Sequence, residues 1–105
     1  MSKYSDSRQC EVLLSIQSAL LGEISASLRV ITISWDEKNV KFVSVFDGPI
    51  SDEDKESMSC VETELIADLP EDNNIAYQMI RIDAPQRVVA EGVWVYARRE
   101  SLEQD

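Results

Sequence analysis

Two runs of this chain, LRVITISW at Leu28–Trp35 and VKFVSVF at 40–46, are dense in β-branched and aromatic residues. Only DEKN at 36–39 separates them. Side chains of this kind suit a pleated surface, and the polar connection is short, so the pair predicts an antiparallel hairpin. A hairpin by itself leaves an apolar face in water and is marginal in isolation. The rest of the chain must therefore supply a cover for that face and further strands for its edges.

The segments on either side of the hairpin meet this need. From 7 to about 24, Leu13, Ile16, Leu20 and Ile24 recur at three and four residues, the spacing of one helix face, with Gln17 in its midst. After the break at DGP, Ser51 is the expected N-cap of a second helix, with Asp54 as its capping-box partner. Asp52, Glu53 and Asp54 would then occupy the first turn, where the helix dipole favours anions. Met58, Val61, Leu65 and Leu69 form the second stripe, Ile66 lies at its edge, and Pro70 ends it. Two more strands are expected at 75–83 and 92–99, joined as a second hairpin through APQRVVAE. The order is α-β-β-α-β-β. The expected fold is an α+β two-layer sandwich, a four-stranded antiparallel sheet with both helices on one face. With 105 residues and no linker or repeat, the chain reads as a single domain, 1–105, with frayed ends at about 1–6 and 100–105.

The charge is unevenly placed. Between 47 and 73 there are ten Asp or Glu residues against Lys55 alone, −9 of the chain's −10. The remainder is nearly neutral. A patch of this kind repels nucleic acid and anionic lipid, and it accelerates encounter with a basic protein surface. The candidate partner-binding residues are Asp47, Asp52, Glu53, Asp54, Glu56, Glu64, Asp68, Glu71 and Asp72. A solvated helix face is the plain alternative. The other candidate interaction surfaces are the uncovered sheet face and an edge strand, on which some of Trp35, Tyr77, Trp94 and Tyr96 would be displayed.

Catalysis finds little support. There are no histidines, and Gly22, Gly48 and Gly92 form no phosphate-cradling loop. Cys10 and Cys60 cannot complete a four-ligand zinc site, and DEDKE lacks the alternating ligands and turn glycine of a calcium loop. No metal or cofactor is expected. Cys60 shares a face with Glu53, Glu56 and Glu64, which disfavours a thiolate. Glu62 falls inside the apolar stripe, so it should pair with an arginine of the sheet, with Arg29, Arg81 and Arg98 on offer. Its weaker alternative role is the centre of a carboxylate-dependent hydrolase. No apolar run reaches membrane-spanning length and no leader pattern opens the chain, so the expected compartment is the cytoplasm, with both cysteines as free thiols.

At LLGEIS, DGPISDEDKESMSCVETELIADLP and VYARRE the chain resembles small, acidic, uncharacterised bacterial proteins that share this helix, hairpin and helix order. Some of these resemble immunity proteins of polymorphic-toxin and contact-dependent growth inhibition systems. The resemblance runs from about 20 to 100. It implies a cytosolic, non-enzymatic protein that binds and blocks a toxin, and many such toxins are nucleases with basic clefts. The expected function is thus inhibition of a cationic toxin, with a nuclease as the expected class, through the acidic second helix. The alternative is a housekeeping adaptor or oligomer subunit that binds through the open sheet face or edge.

Overall fold

A computed structural model describes residues 6–100. The elements follow the expected order: α1 (Asp6–Ala19), β1 (Leu28–Trp35), β2 (Asn39–Phe46), α2 (Asp52–Asp68), β3 (Asn74–Arg81) and β4 (Val93–Ala97). The frayed ends expected at about 1–6 and 100–105 fall mostly outside the described residues.

The hairpin of β1 and β2 forms the middle of the sheet, in antiparallel register from Trp35↔Val40 to Leu28↔Phe46. Asp36 closes its turn, accepting from the Lys38 and Asn39 backbone N–H groups at 3.0 and 2.9 Å. Side chains alternate across the two faces. Ile31, Ile33, Trp35, Val40, Phe42 and Phe46 meet Met58, Val61, Leu65 and Leu69 of α2 and Val12, Ile16 and Ala19 of α1 in the main core.

α2 begins as expected, with the Ser51 hydroxyl accepting from the Asp54 N–H at 3.0 Å. Its carboxylate partner does not complete the capping box. Asp54 instead accepts a hydrogen bond from the Ser27 hydroxyl at 3.0 Å, which ties the helix start to the turn before β1. α1 is shorter than its periodicity suggests. It ends at Ala19, followed by tight turns through Gly22 (φ +83°), a conformation open to glycine and costly for other residues. The buried face is Val12, Ser15, Ile16 and Ala19, so the helix is turned by about one residue from the expected stripe. Ile24 lies beyond the helix and is exposed, and Gln17 faces solvent.

The sheet is mixed, which corrects the all-antiparallel expectation. Its order is β3-β2-β1-β4, and β3 runs parallel to β2 from Asn39↔Asn74 to Phe46↔Arg81. The reason lies in α2. A helix that leaves one end of β2 and returns the chain to the other end of the sheet makes a crossover, and the strands it joins must run the same way. β3 and β4 therefore stand at opposite edges and form no hairpin.

The connection between them, 82–92, crosses the sheet face opposite the helices. Val30, Val43 and Val45 pack there against Ile80, Ile82, Val88 and Ala90 in a second, smaller apolar cluster. The crossing is pinned along its length. Ile82 donates to the Phe46 carbonyl, the Thr32 hydroxyl donates to the Glu91 carbonyl at 2.6 Å, and Gly92 lies flat on β1. A Cβ at Gly92 would stand 2.8 Å from the Ile33 carbonyl oxygen, and its φ is +110°, so only glycine fits. The sheet face expected to lie open is largely covered by the chain itself.

Candidate functional site

The acidic segment divides into carboxylates that the fold uses internally and carboxylates that it leaves in water. Asp47 belongs to the first group: it accepts from Arg98 at 2.7 Å and from the Ala84 N–H at 3.1 Å, and both hold its carboxyl below the usual range. Asp54 belongs there too, since it is 5% exposed and bonded to Ser27. Asp52, Glu53, Glu56, Glu64, Asp68, Glu71 and Asp72 are all exposed. Two of these have loose cationic neighbours: Lys55 lies 3.9 Å from Asp52 and Lys38 lies 3.5 Å from Asp72. Exposed pairs at such distances contribute little and neutralise little.

Glu53, Glu56, Glu64, Asp68 and Glu71 form no ion pair or hydrogen bond among the described residues. At 100° per residue, Glu53, Glu56 and Glu64 share about 80° of the α2 circumference, with Cys60 between them. Asp68 follows at the flank nearest α1. There a shallow cleft of about 220 Å³ runs between the helices, lined by Ser15, Ser18 and Ala19 of α1 and by Glu64, Ala67 and Asp68 of α2. Its floor is made of small side chains, and two carboxylates stand on one wall. Ser15 is 3% exposed, and its hydroxyl has no hydrogen-bond partner among the described residues.

Glu62 corrects the sequence reading. It is half-buried on the far flank of α2 and pairs with no arginine. The three arginines expected to reach it are held elsewhere. Arg29, 4% exposed, makes a two-pronged bond to Glu100 at 2.7 and 2.8 Å and donates to the Ile82 and Gln86 carbonyls. Arg98 bridges Asp47, Glu100 and the Ala26 carbonyl. Arg81 pairs with Asp83, whose carboxylate also accepts from the Gly48 N–H at 2.7 Å.

This network ties the start of β1, the end of β2, the crossing segment and the residues after β4 into one knot. Glu100, placed by sequence in a frayed tail, is a member of it. Bonds from Arg29, and after them from Arg98, lower its carboxyl to about 2. Nothing in the local sequence marks this knot, because its bonded members lie up to 72 residues apart. Both cysteines are free and exposed. No helix among the described residues is long and apolar enough to cross a membrane.

The family model of the MafI2 immunity protein matches residues 9–100, and the chain belongs to that family. No curated protein matches the chain.

Proposed function

We propose that this member of the MafI2 immunity family binds and blocks a cationic toxin domain, of the nuclease class, through the exposed acidic surface of α2 and its flanks. The observation that carries the reading is the run of carboxylates without cationic partners among the described residues on one arc of one helix, while Arg29, Arg81 and Arg98 are committed elsewhere. Such a surface gains little from folding and offers its full field to a partner. A nuclease cleft holds lysines and arginines placed for substrate phosphates, and a carboxylate surface of matching layout occludes it. Glu53, Glu56, Glu64 and Asp68 form the centre of the surface, with Asp52, Glu71 and Asp72 at its rim. The cleft between α1 and α2 receives one basic side chain, whose head meets Glu64 and Asp68 while its stem lies on Ser15, Ala19 and Ala67.

Inhibition by occlusion needs no chemistry from the protein, so the proposed action, in the cytoplasm, calls for no metal or cofactor. The reading through an open sheet face loses its ground, because 82–92 covers that face.

The test takes as partner the basic protein recovered with this one by pull-down from its own cells, with the association measured by stopped flow across a salt series. The wild type should associate fast at low salt and slow steeply as salt rises. Replacing Asp52, Glu53, Glu56 and Glu64 with Asn or Gln should lower the association rate by about 10- to 100-fold and flatten the salt dependence. An association rate indifferent to both salt and substitution overturns the proposal.

A further inference from the structure

The cleft between the helices is also the place where both of them end. Its walls are Ser15, Ser18 and Ala19 of α1 and Glu64, Ala67 and Asp68 of α2, all within the last five residues of their helices. A helix C-terminus carries about half a negative charge on its last carbonyls and favours a cation within that turn. Neither helix has a basic residue in its last turn. Two negative dipole ends therefore open on one cleft.

Glu64 and Asp68 add charge of the same sign. They stand four residues apart on α2, neighbours on one helix face, where like charges oppose each other. Neither carboxylate has an ion pair or hydrogen bond among the described residues, so the opposition is unrelieved.

Ser15 is the independent mark of a ligand. A hydroxyl inside a helix has an acceptor within reach, the carbonyl one turn back. Thr63 uses it, donating to the Ser59 carbonyl at 3.0 Å. Ser15 does not, although it is buried, and its oxygen is unbonded among the described residues. An unmet polar group in such a place is costly, and a donor entering the cleft recovers that cost.

The acceptors select the cation. Two carboxylates and a hydroxyl fall short of the about six to eight oxygens that calcium gathers. A guanidinium holds its donors in one plane and grips a single carboxylate two-pronged. An ammonium carries three N–H groups on a compact head, one for each acceptor, at the end of a slender stem.

We propose that this cleft is a primary-ammonium site, and that its occupant is a lysine side chain of the toxin domain. The occupant's source rests on the toxin reading above, whereas the chemistry of the site rests on the cleft alone. The ammonium stands between Glu64 and Asp68 and gives its third N–H to the Ser15 hydroxyl, with the stem along Ala19 and Ala67. The wide acidic arc sets how fast the partner arrives, and the cleft sets how long it stays.

The first arm of the test needs no partner. Amide spectra of the protein are followed at low ionic strength against n-butylammonium, which reproduces the end of a lysine side chain. Amides around Ser15, Ser18, Ala67 and Asp68 should shift and saturate with a Kd of about 1–10 mM. Tetramethylammonium, which has the charge but no N–H, and methylguanidinium should bind about tenfold more weakly or worse. Ser15→Ala should weaken n-butylammonium about tenfold, while its thermal unfolding midpoint holds or rises because an unmet hydroxyl is gone. Shifts that never saturate, tetramethylammonium binding as well, or a Ser15→Ala protein that binds as the wild type does each overturn the site.

The second arm uses the recovered basic partner. Ser15→Ala should raise its dissociation rate about tenfold and leave the association rate and its salt dependence unchanged. An unchanged dissociation rate overturns the lysine as occupant, while the acidic surface stands. Association indifferent to salt overturns the toxin reading and the lysine with it, and the n-butylammonium titration then decides the site by itself.

Discussion

Beneath β1, Asp47, Asp83 and Glu100 lie 2.7, 2.9 and 2.7 Å from arginine nitrogens. On α2, Glu53, Glu56 and Glu64 pair with no cation among the described residues. Both regions are acidic, yet in the first every carboxylate is matched by an arginine, with a backbone N–H besides at Asp47 and Asp83, so its charge is used up in closing the fold. In the second, the charge projects into solvent, where it stabilises little and repels its own kind. A cluster that the fold does not need and does not neutralise is better placed to meet a partner than to hold the molecule together.

Removing Arg29 is the hardest test of this contrast. Arg29→Ala leaves Glu100 with Arg98 alone and strands two carbonyl acceptors, and should lower unfolding stability by about 3–5 kcal/mol in denaturant titration. Glu64→Gln on α2 should change it by no more than about 0.5 kcal/mol. Equal losses would mean that the two clusters do not differ in kind.

Acid is the second probe. The Glu100 carboxyl is lowered from 4.5 to about 2 in the folded protein. The folded form therefore binds this proton less readily than the unfolded chain does. Its stabilisation is full above about pH 4.5 and fades as pH falls toward about 2, roughly 1–3 kcal/mol in all once solvent screening is allowed for. Thermal unfolding between pH 6 and pH 2.5, bounds taken around that window, should show a steeper loss for the wild type than for Glu100→Gln. Parallel curves would place the acid sensitivity elsewhere.

Asp54 is the exception within the acidic helix, an acid of the binding segment that serves the fold. Asp54→Ala removes the bond from Ser27 and should cost about 1–2 kcal/mol, while the association rate with a basic partner changes little. A large kinetic effect with unchanged stability would move Asp54 to the exposed group.

Glu62 gives the smallest effect and refines the boundary. With no arginine in reach, Glu62→Ala should cost less than about 1 kcal/mol, and Glu62→Leu should be neutral or stabilising. A loss of several kcal/mol would show that Glu62 is engaged in a buried pair after all.

Much of the fold was legible in short stretches. Strand composition marked β1 and β2, DEKN marked their turn, and Ser51 with the Met58–Val61–Leu65–Leu69 stripe placed α2. The candidate surface was legible as charge density, since −9 within 47–73 needs only counting. Which carboxylates remain free was not legible. Asp54 and Glu53 are neighbours in the first turn, yet one is buried and the other exposed. Asp54 stands in line with Met58, Val61 and Leu65 on the buried face, and the hydroxyl that satisfies it there comes from Ser27, far back in the chain. The covering role of 82–92 left a faint trace, because Val88 and Ala90 are apolar in what looked like a hairpin loop. Eleven residues are also long for a hairpin connection.

By itself, the sequence determined the identity of the elements, their order and the sign of the surface. Each follows from local quantities: apolar period, capping residues and charge per length of chain. Tertiary structure alone decided that β3 runs parallel to β2, that 82–92 crosses the second face, and that Arg29, Arg98 and Glu100 meet. Strand pairing and ion pairs depend on where distant segments come to rest. Many arrangements satisfy the same local periods, and the packing of both sheet faces selects among them.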